Sequence, residues 1–233
     1  MDYKKNINYF ENKRLFLYGG ACLLALGLIL MFGPFGDRDS GPILYILSVL
    51  SLIAGGIAFT LSVTTRSNDK KIDDDLAAAF RYFDEEKLAK FDLYERRLPY
   101  IQSVELADYE YYEGSMIRRD KAGHYRTDLF GKTHIYFTES TLCIVCTTVS
   151  LIKDEKTDKD IEVPYAAVKK AYLTDRTVAY TYGKKAVTVT VPMLHIECED
   201  GAEHVYQVRS DLEVDTAVEN INRLAEKAKK SAL

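Results

Sequence analysis

The chain has 233 residues, enough for one or two domains, and a formal net charge of −4, which excludes a globally basic surface for nucleic acid. Its 17 Tyr and 10 Phe with no Trp suit an aromatic-rich β core better than a helical bundle. Cys22 lies in an apolar run and Cys143, Cys146 and Cys198 lie in strand-like runs, without the spaced framework of a secreted domain, so reduced thiols in a cytosolic compartment are expected.

Residues 1–14 form a short N-terminal segment carrying Lys4, Lys5, Lys13 and Arg14. Residues 15–32 and 43–63 follow as two uncharged apolar runs. About 20 apolar residues cross a hydrocarbon core of roughly 30 Å at about 1.5 Å per residue, so each run predicts a transmembrane helix. A cleaved signal peptide is disfavoured: the first run exceeds an h-region, no A-x-A-like site follows it, and a second run comes at once. Residues 33–42, GPFGDRDSGP, are turn formers, and a connector this short predicts an antiparallel hairpin. Four Lys/Arg precede the first run, Arg66, Lys70 and Lys71 follow the second, and the connector carries only Arg38. Positive flanks stay inside, which predicts a multi-pass protein of the cell membrane with both termini cytoplasmic and the connector external.

In the second run Ser48, Ser51, Gly55, Ala58 and Ser62 share one helical face, while Leu47, Leu50, Ile53, Ile57 and Leu61 occupy the others. Small residues let helix backbones approach closely in lipid, and Gly20 and Gly27 are the matching positions on the first run. The seam serves packing within the hairpin or between copies of the chain. Neither run holds an Asp, Glu, Lys, Arg or His, so the hairpin reads as an anchor rather than an ion or proton path.

Residues 66–98 predict one amphipathic connecting helix. Ile72, Leu76, Phe80, Phe83, Phe91, Tyr94 and Leu98 keep helical spacing, with Lys87 in the one missing place. Asn68 or Asp69 can cap it, Asp73, Asp74 and Asp75 favour its N-terminal end, and Pro99 stops it. Its polar face mixes eight Lys/Arg with nine Asp/Glu, unlike the Lys/Arg-rich face of a membrane-surface helix. Its apolar stripe is expected to pack on its own chain or on a partner helix.

From Gln102 the period changes to two. Strand-like runs are predicted at 104–106, 109–111, 125–129, 133–138, 141–148, 171–174, 178–182, 186–191, 194–199 and 204–208, for seven or eight strands in all. Turns are expected at Glu139–Ser140, Asp175–Arg176, Gly183–Lys184 and Asp200–Gly201, and a charged loop at 153–160. Short turns imply antiparallel pairing. Ser210 to Glu213 form a capping box, and Val214, Ala217, Val218, Ile221, Leu224 and Ala228 form the stripe of a closing helix. The prediction is an α+β domain over residues 102–230, a barrel or sandwich plugged by its C-terminal helix.

The segment from Ile161 to Val168, IEVPYAAV, with its hydrophobic-Pro-aromatic step, the segment from Tyr125 to Leu129, YRTDL, and the closing helix resemble a bacterial pleckstrin-homology-like domain of membrane-anchored proteins. The resemblance spans about residues 102–230 and implies a binding or scaffolding module without catalysis. It also implies that basic side chains in the loop after the first strand can hold a lipid headgroup, here Arg118, Arg119, Lys121 and Arg126, with His124 and Lys132 nearby. Tethering beside an anionic leaflet strengthens that reading, and a solvated hairpin is the alternative.

Cys143 with Cys146 and His195 with Cys198 have residue types that suit Zn²⁺. Residues i and i+3 of a strand point to opposite faces, so they are expected to be core side chains instead, and no metal or other cofactor is predicted. There is no G-x-S-x-G, H-E-x-x-H, P-loop or G-x-G-x-x-G. The expected function is a non-catalytic scaffold or sensor that meets the bilayer and a protein or anionic lipid headgroup. An accessory subunit of a transport or signalling complex is the alternative, and a membrane-bound enzyme with an unrecognised site a third.

Overall fold

The computed structural model describes residues 1–11, 15–32, 41–65, 67–182, 185–209 and 214–231. Lys13, Arg14, Arg66, most of the connector at 33–42, the turn at 183–184 and the capping box at 210–213 lie outside them. The chain divides into two compact units, Asp2–Ile72 and Asp73–Leu233.

The first unit opens with a helix the sequence reading missed, α1 (Tyr3–Phe10), whose N-cap Asp2 accepts a hydrogen bond from Lys5 N–H. Asn6, Tyr9 and Phe10 are buried. The helix docks on residues 65–69: Ser67 Oγ donates to Asn6 Oδ1 at 2.5 Å, Asn8 Nδ2 to the Thr65 carbonyl at 2.9 Å, and Tyr9 hydroxyl to Asp69 Oδ1 at 2.7 Å. Two apolar helices follow, α2 (Leu15–Phe32) and α3 (Gly41–Thr64). Residues Gly41–Ser62 of α3 are long and apolar enough to cross a membrane, with a mean hydropathy of 2.2, and the apolar stretch Leu17–Phe32 of α2 is shorter.

The second unit is α+β. Residues 66–98 form three helices instead of one: α4 (Asp69–Ala79), which runs on from the first unit, α5 (Phe83–Lys90) and α6 (Leu93–Arg96). Turns at 80–82 and 91–92 interrupt the run, and Asp92 takes a left-handed φ of 53° that no helix interior accepts. The breaks let Phe83 and Leu93 both reach one patch of sheet, where they bury Tyr136, Cys143 and Val145. Lys87, on the same apolar face, is buried and ion-paired to Asp160 at 2.7 Å. Tyr94 falls on the other side of the second break and is exposed.

Ten strands are described. They are β1 (Val104–Tyr109), β2 (Ile117–Arg119), β3 (Tyr125–Thr127), β4 (Leu129–Phe137), β5 (Thr141–Ser150), β6 (Lys156–Asp158), β7 (Ile161–Pro164), β8 (Val168–Tyr182), β9 (Lys185–Cys198) and β10 (Glu203–Gln207). One sheet runs β1-β4-β5-β6 with β7 also on β5, a second runs β10-β9-β8, and β2 and β3 form a separate hairpin. All pairings are antiparallel. The two larger sheets share one core but no ladder joins them among the described residues, so the arrangement is a sandwich rather than a closed barrel.

One expected turn is absent. Asp175 and Arg176 pair in register with Pro192 and Val191, so β8 is one long strand and β9 is its match. Pro192 is tolerated because it lies just past the end of β10, whose last partner is Met193, where a missing N–H breaks no ladder between three strands. The charged loop at 153–160 contains β6, and the basic loop contains β2.

Strand β5 is buried on both faces, which explains its nearly unbroken apolar sequence. Leu142 and Ile144 face the core between the sheets, and Cys143 and Val145 face α5 and α6. The C-terminal helix α7 (Asp215–Ser231) sends Ala217, Ile221 and Ala225 into the same core. Asn222 pins it to the edge of β8, accepting from Ala171 N–H at 2.8 Å and donating to Ala171 C=O at 2.9 Å.

Candidate functional site

The small residues of the apolar helices come together at one seam. A Cβ on Gly20 would stand 2.8 Å from Phe59 N and 3.0 Å from Gly55 O, and one on Gly55 would stand 2.8 Å from Leu24 N. A Cβ on Gly27 would meet the Leu52 side chain at 2.7 Å and Ser48 O at 3.0 Å. Because 20 faces 55 and 27 faces 48, α2 and α3 run antiparallel with backbones in contact. Ser48 and Gly55 are buried, Ser51, Ala58 and Ser62 are half-buried, and Leu47, Leu50, Ile53, Ile57 and Leu61 are exposed.

The four basic residues of the β2–β3 hairpin do not share one surface. Arg118 pairs with Arg126 across the strands and Arg119 with Tyr125, so successive residues face opposite ways. Arg126 is enclosed: it contacts Asp73 at 2.5 Å, Asp120 at 3.1 Å and the Tyr109 hydroxyl at 3.0 Å. Burial opposes ionisation of Asp120, but hydrogen bonds from His124 N–H and Arg126 outweigh it and hold the carboxyl below its ordinary value. Arg119 donates from Nε to Gly123 O at 2.9 Å and so staples the turn. Arg119 and Lys121 are exposed, and Arg118 is half-buried.

The cysteines and His195 are dispersed. Cys143 lies beneath α5 and α6, Cys146 faces the space between the sheets, and Cys198 lies in the main core. Burial among apolar neighbours pushes the Cys143 thiol up to about 12. His195 is held by Thr174 and Glu203, each at 2.8 Å, and stacks on Tyr172.

One group with metal-like spacing joins α5, β1 and β4. Asp84, Glu105 and His134 each offer a ligand atom within 4.8 Å of the others. Lys132 already supplies a cation there, with Nζ 3.0 Å from Asp84 and 3.5 Å from Glu105. His134 Nδ1 lies 2.9 Å from both Asp84 Oδ1 and the Tyr136 hydroxyl. Burial would raise the Asp84 carboxyl, yet hydrogen bonds from His134 and Lys132 prevail and lower it. Asp84 and His134 are fifty positions apart in sequence, and no local pattern links them.

A cavity of about 260 Å³ opens between the sheets at the end away from α7's apolar stripe. Leu106, Leu129 and Met193 line it together with Asp108, Glu110, Lys159 and Arg176. The only local sign of it was Gly131, a glycine inside a strand, which marks a close approach to the backbone.

No family model, curated protein or solved structure matches the chain.

Proposed function

We propose that the chain is a membrane-anchored binding module. In this reading α2 and α3 cross the bilayer as a hairpin, both termini lie in the cytoplasm, and residues 102–230 form a pleckstrin-homology-like domain presented to a protein or an anionic lipid headgroup. The observation that carries it is the division of α3 into a small-residue face packed on α2 and an exposed apolar remainder. Contiguous apolar surface of that kind is costly in water and neutral in lipid. Lys4 and Lys5 before the pair and Lys70 and Lys71 after it favour cytoplasmic flanks. Strands β1, β4, β5 and β7 against β8 to β10, closed by α7, support the family resemblance. The basic hairpin offers Arg119 and Lys121 to an anionic surface, while Arg126 is engaged within the fold.

The small-residue face is occupied by α2, which favours the anchor over an accessory subunit that would use the same face for another protein. Topology is tested in a cysteine-free background in intact cells. A Cys at Ser40 reacts with an impermeant maleimide from outside and one at Ser231 does not. The reverse pattern overturns the reading.

A further inference from the structure

The open end of the sandwich departs from the rule that residues pointing between two sheets are apolar. Along β1 the inward positions run Leu106, Asp108 and then, just past the strand, Glu110. On β4 they run from Phe137 and Ile135 to Thr133 and Gly131, and on β5 from Leu142 and Ile144 to Cys146 and Thr148. The ladder sets Asp108 beside Gly131 and Gly131 beside Thr148, so the polar positions form a row across three strands.

Gly131 makes room for a carboxylate. A Cβ there would collide with Glu110 Oε1. A glycine within a strand weakens it, and here the missing side chain admits Glu110 between the sheets. Thr148 Oγ1 donates to Glu110 Oε1 at 2.7 Å and holds the carboxylate in place.

Lys159 and Arg176 line the same cavity. Arg176 donates one N–H to the Tyr111 carbonyl and keeps its other donors. Among the described residues neither cation forms an ion pair, and neither does Glu110, so opposite charges border one space without touching. Glu110 is half-buried without a counter-ion, which is unfavourable, and Lys159 and Arg176 stand exposed at the rim, so a ligand carrying both charges would meet both sides. A single-charge ligand would leave one side unmatched. Leu106, Leu129, Met193 and Val205 give the cavity apolar surface beside the polar groups of Asp108, Thr133 and Gln207. The volume of about 260 Å³ falls just below the roughly 300–1,000 Å³ of drug-sized sites and suits a small ligand.

We infer that this cavity binds a small zwitterion of the aliphatic amino-acid class, its ammonium held by Glu110 and its carboxylate by Arg176 and Lys159. The inference does not rest on the membrane-anchor reading, because it concerns the sandwich alone.

The test is titration calorimetry on the full chain in detergent micelles. The ligands are L-leucine and L-methionine, with n-butylamine and butyrate as single-charge controls. Wild type binds at least one of the two amino acids saturably and binds both controls at least tenfold more weakly. Glu110→Gln and Arg176→Gln each weaken binding tenfold or more, since each removes a charge-assisted contact. Gly131→Ala, which displaces Glu110, weakens it in the same direction. Absence of saturable binding by either amino acid overturns the inference. So does butylamine or butyrate binding as tightly as the amino acids, a result that needs no variant to fold. Folded variants, verified by melting, that bind like wild type overturn it as well.

Discussion

Substituting the two partners of the buried ion pair that joins α5 to the sheet should have unequal effects. Lys87 and Asp160 have side chains only 5% and 3% exposed and lie 2.7 Å apart. Asp160→Asn leaves Lys87 with Asp158, at 3.2 Å and 46% exposed, as its remaining partner. Removing one member of a buried pair costs about 3–5 kcal/mol. Lys87→Met is milder, because Asp160 retains Lys90 at 2.7 Å and accepts from Cys146 N–H at 3.2 Å. The methionine also places an apolar chain beside Phe83, so about 1–2 kcal/mol is expected. At roughly 2–4 °C per kcal/mol for a chain of this size, Asp160→Asn should lower Tm by about 6–20 °C and Lys87→Met by about 2–8 °C. Near-ultraviolet circular dichroism of the full chain in micelles measures both. Equal shifts, or a larger one for Lys87→Met, would refute the assignment of Lys90 and Cys146 as the compensating partners. The same pair sets an acid limit. Burial pushes the Asp160 carboxyl upward, but hydrogen bonds from Lys87 and Lys90 win and lower it from 3.8. A carboxylate lowered by folding contributes its full stability above 3.8 and loses it as pH falls through the lower folded value. Asp160→Asn should therefore flatten the acid side of the stability profile.

Gly55→Leu forces α2 and α3 apart, since even a Cβ would meet Leu24 N at 2.8 Å, whereas Ile57→Leu on the exposed face should be neutral. Thermal unfolding in micelles separates the two, and a Gly55→Leu protein that melts like wild type would show that the seam is loose. Ile221→Asp buries a lone carboxylate in the main core, where Ile221 is fully enclosed. The cost of several kcal/mol should unfold or aggregate the protein, and an unchanged melting curve would detach α7 from the core. In the basic hairpin, Arg119→Ser with Lys121→Ser should reduce salt-sensitive docking to anionic lipid by about 1 kcal/mol per residue, with only the small loss of stability that follows from the exposed Arg119–Gly123 hydrogen bond. Arg126→Ser should lower stability instead, because it strips the cation from Asp120 and Asp73. Cosedimentation with anionic and neutral liposomes, alongside melting curves, decides whether the two roles are separate.

What could be read from sequence was periodicity, and what escaped was contact. Of the small residues spaced from Ser48 to Ser62, the structure places Ser48, Gly55 and Ala58 at the α2 seam, where helical geometry puts them on one face. Lys87 was visible as an exception on an apolar stripe, but its partner lies 73 residues away across the fold. The breaks at 80–82 and 91–92 were invisible because neither carries Gly or Pro, and packing on the sheet overrides helix propensity. Arg118 and Arg119 were grouped by proximity, although the two-residue period of a strand separates them. Gly131 and Glu110 mark the cavity, and only the ladder that sets Asp108 opposite Gly131 brings them together.

The helix α1 bears on the order in which the chain is made. Its hydrogen bonds reach forward 57 residues to Thr65, 60 to Asp69 and 61 to Ser67. When α1 leaves the ribosome, none of these partners has been synthesised, and they emerge only after both apolar helices. Closing a free loop of such length costs roughly 3–4 kcal/mol of chain entropy before any contact is gained. Packing of α2 on α3 brings the loop ends together beforehand, so α1 acts as a latch that shuts last. Proteolytic trimming that removes Asn6 and Tyr9 would leave the helix pair standing and release the start of α4.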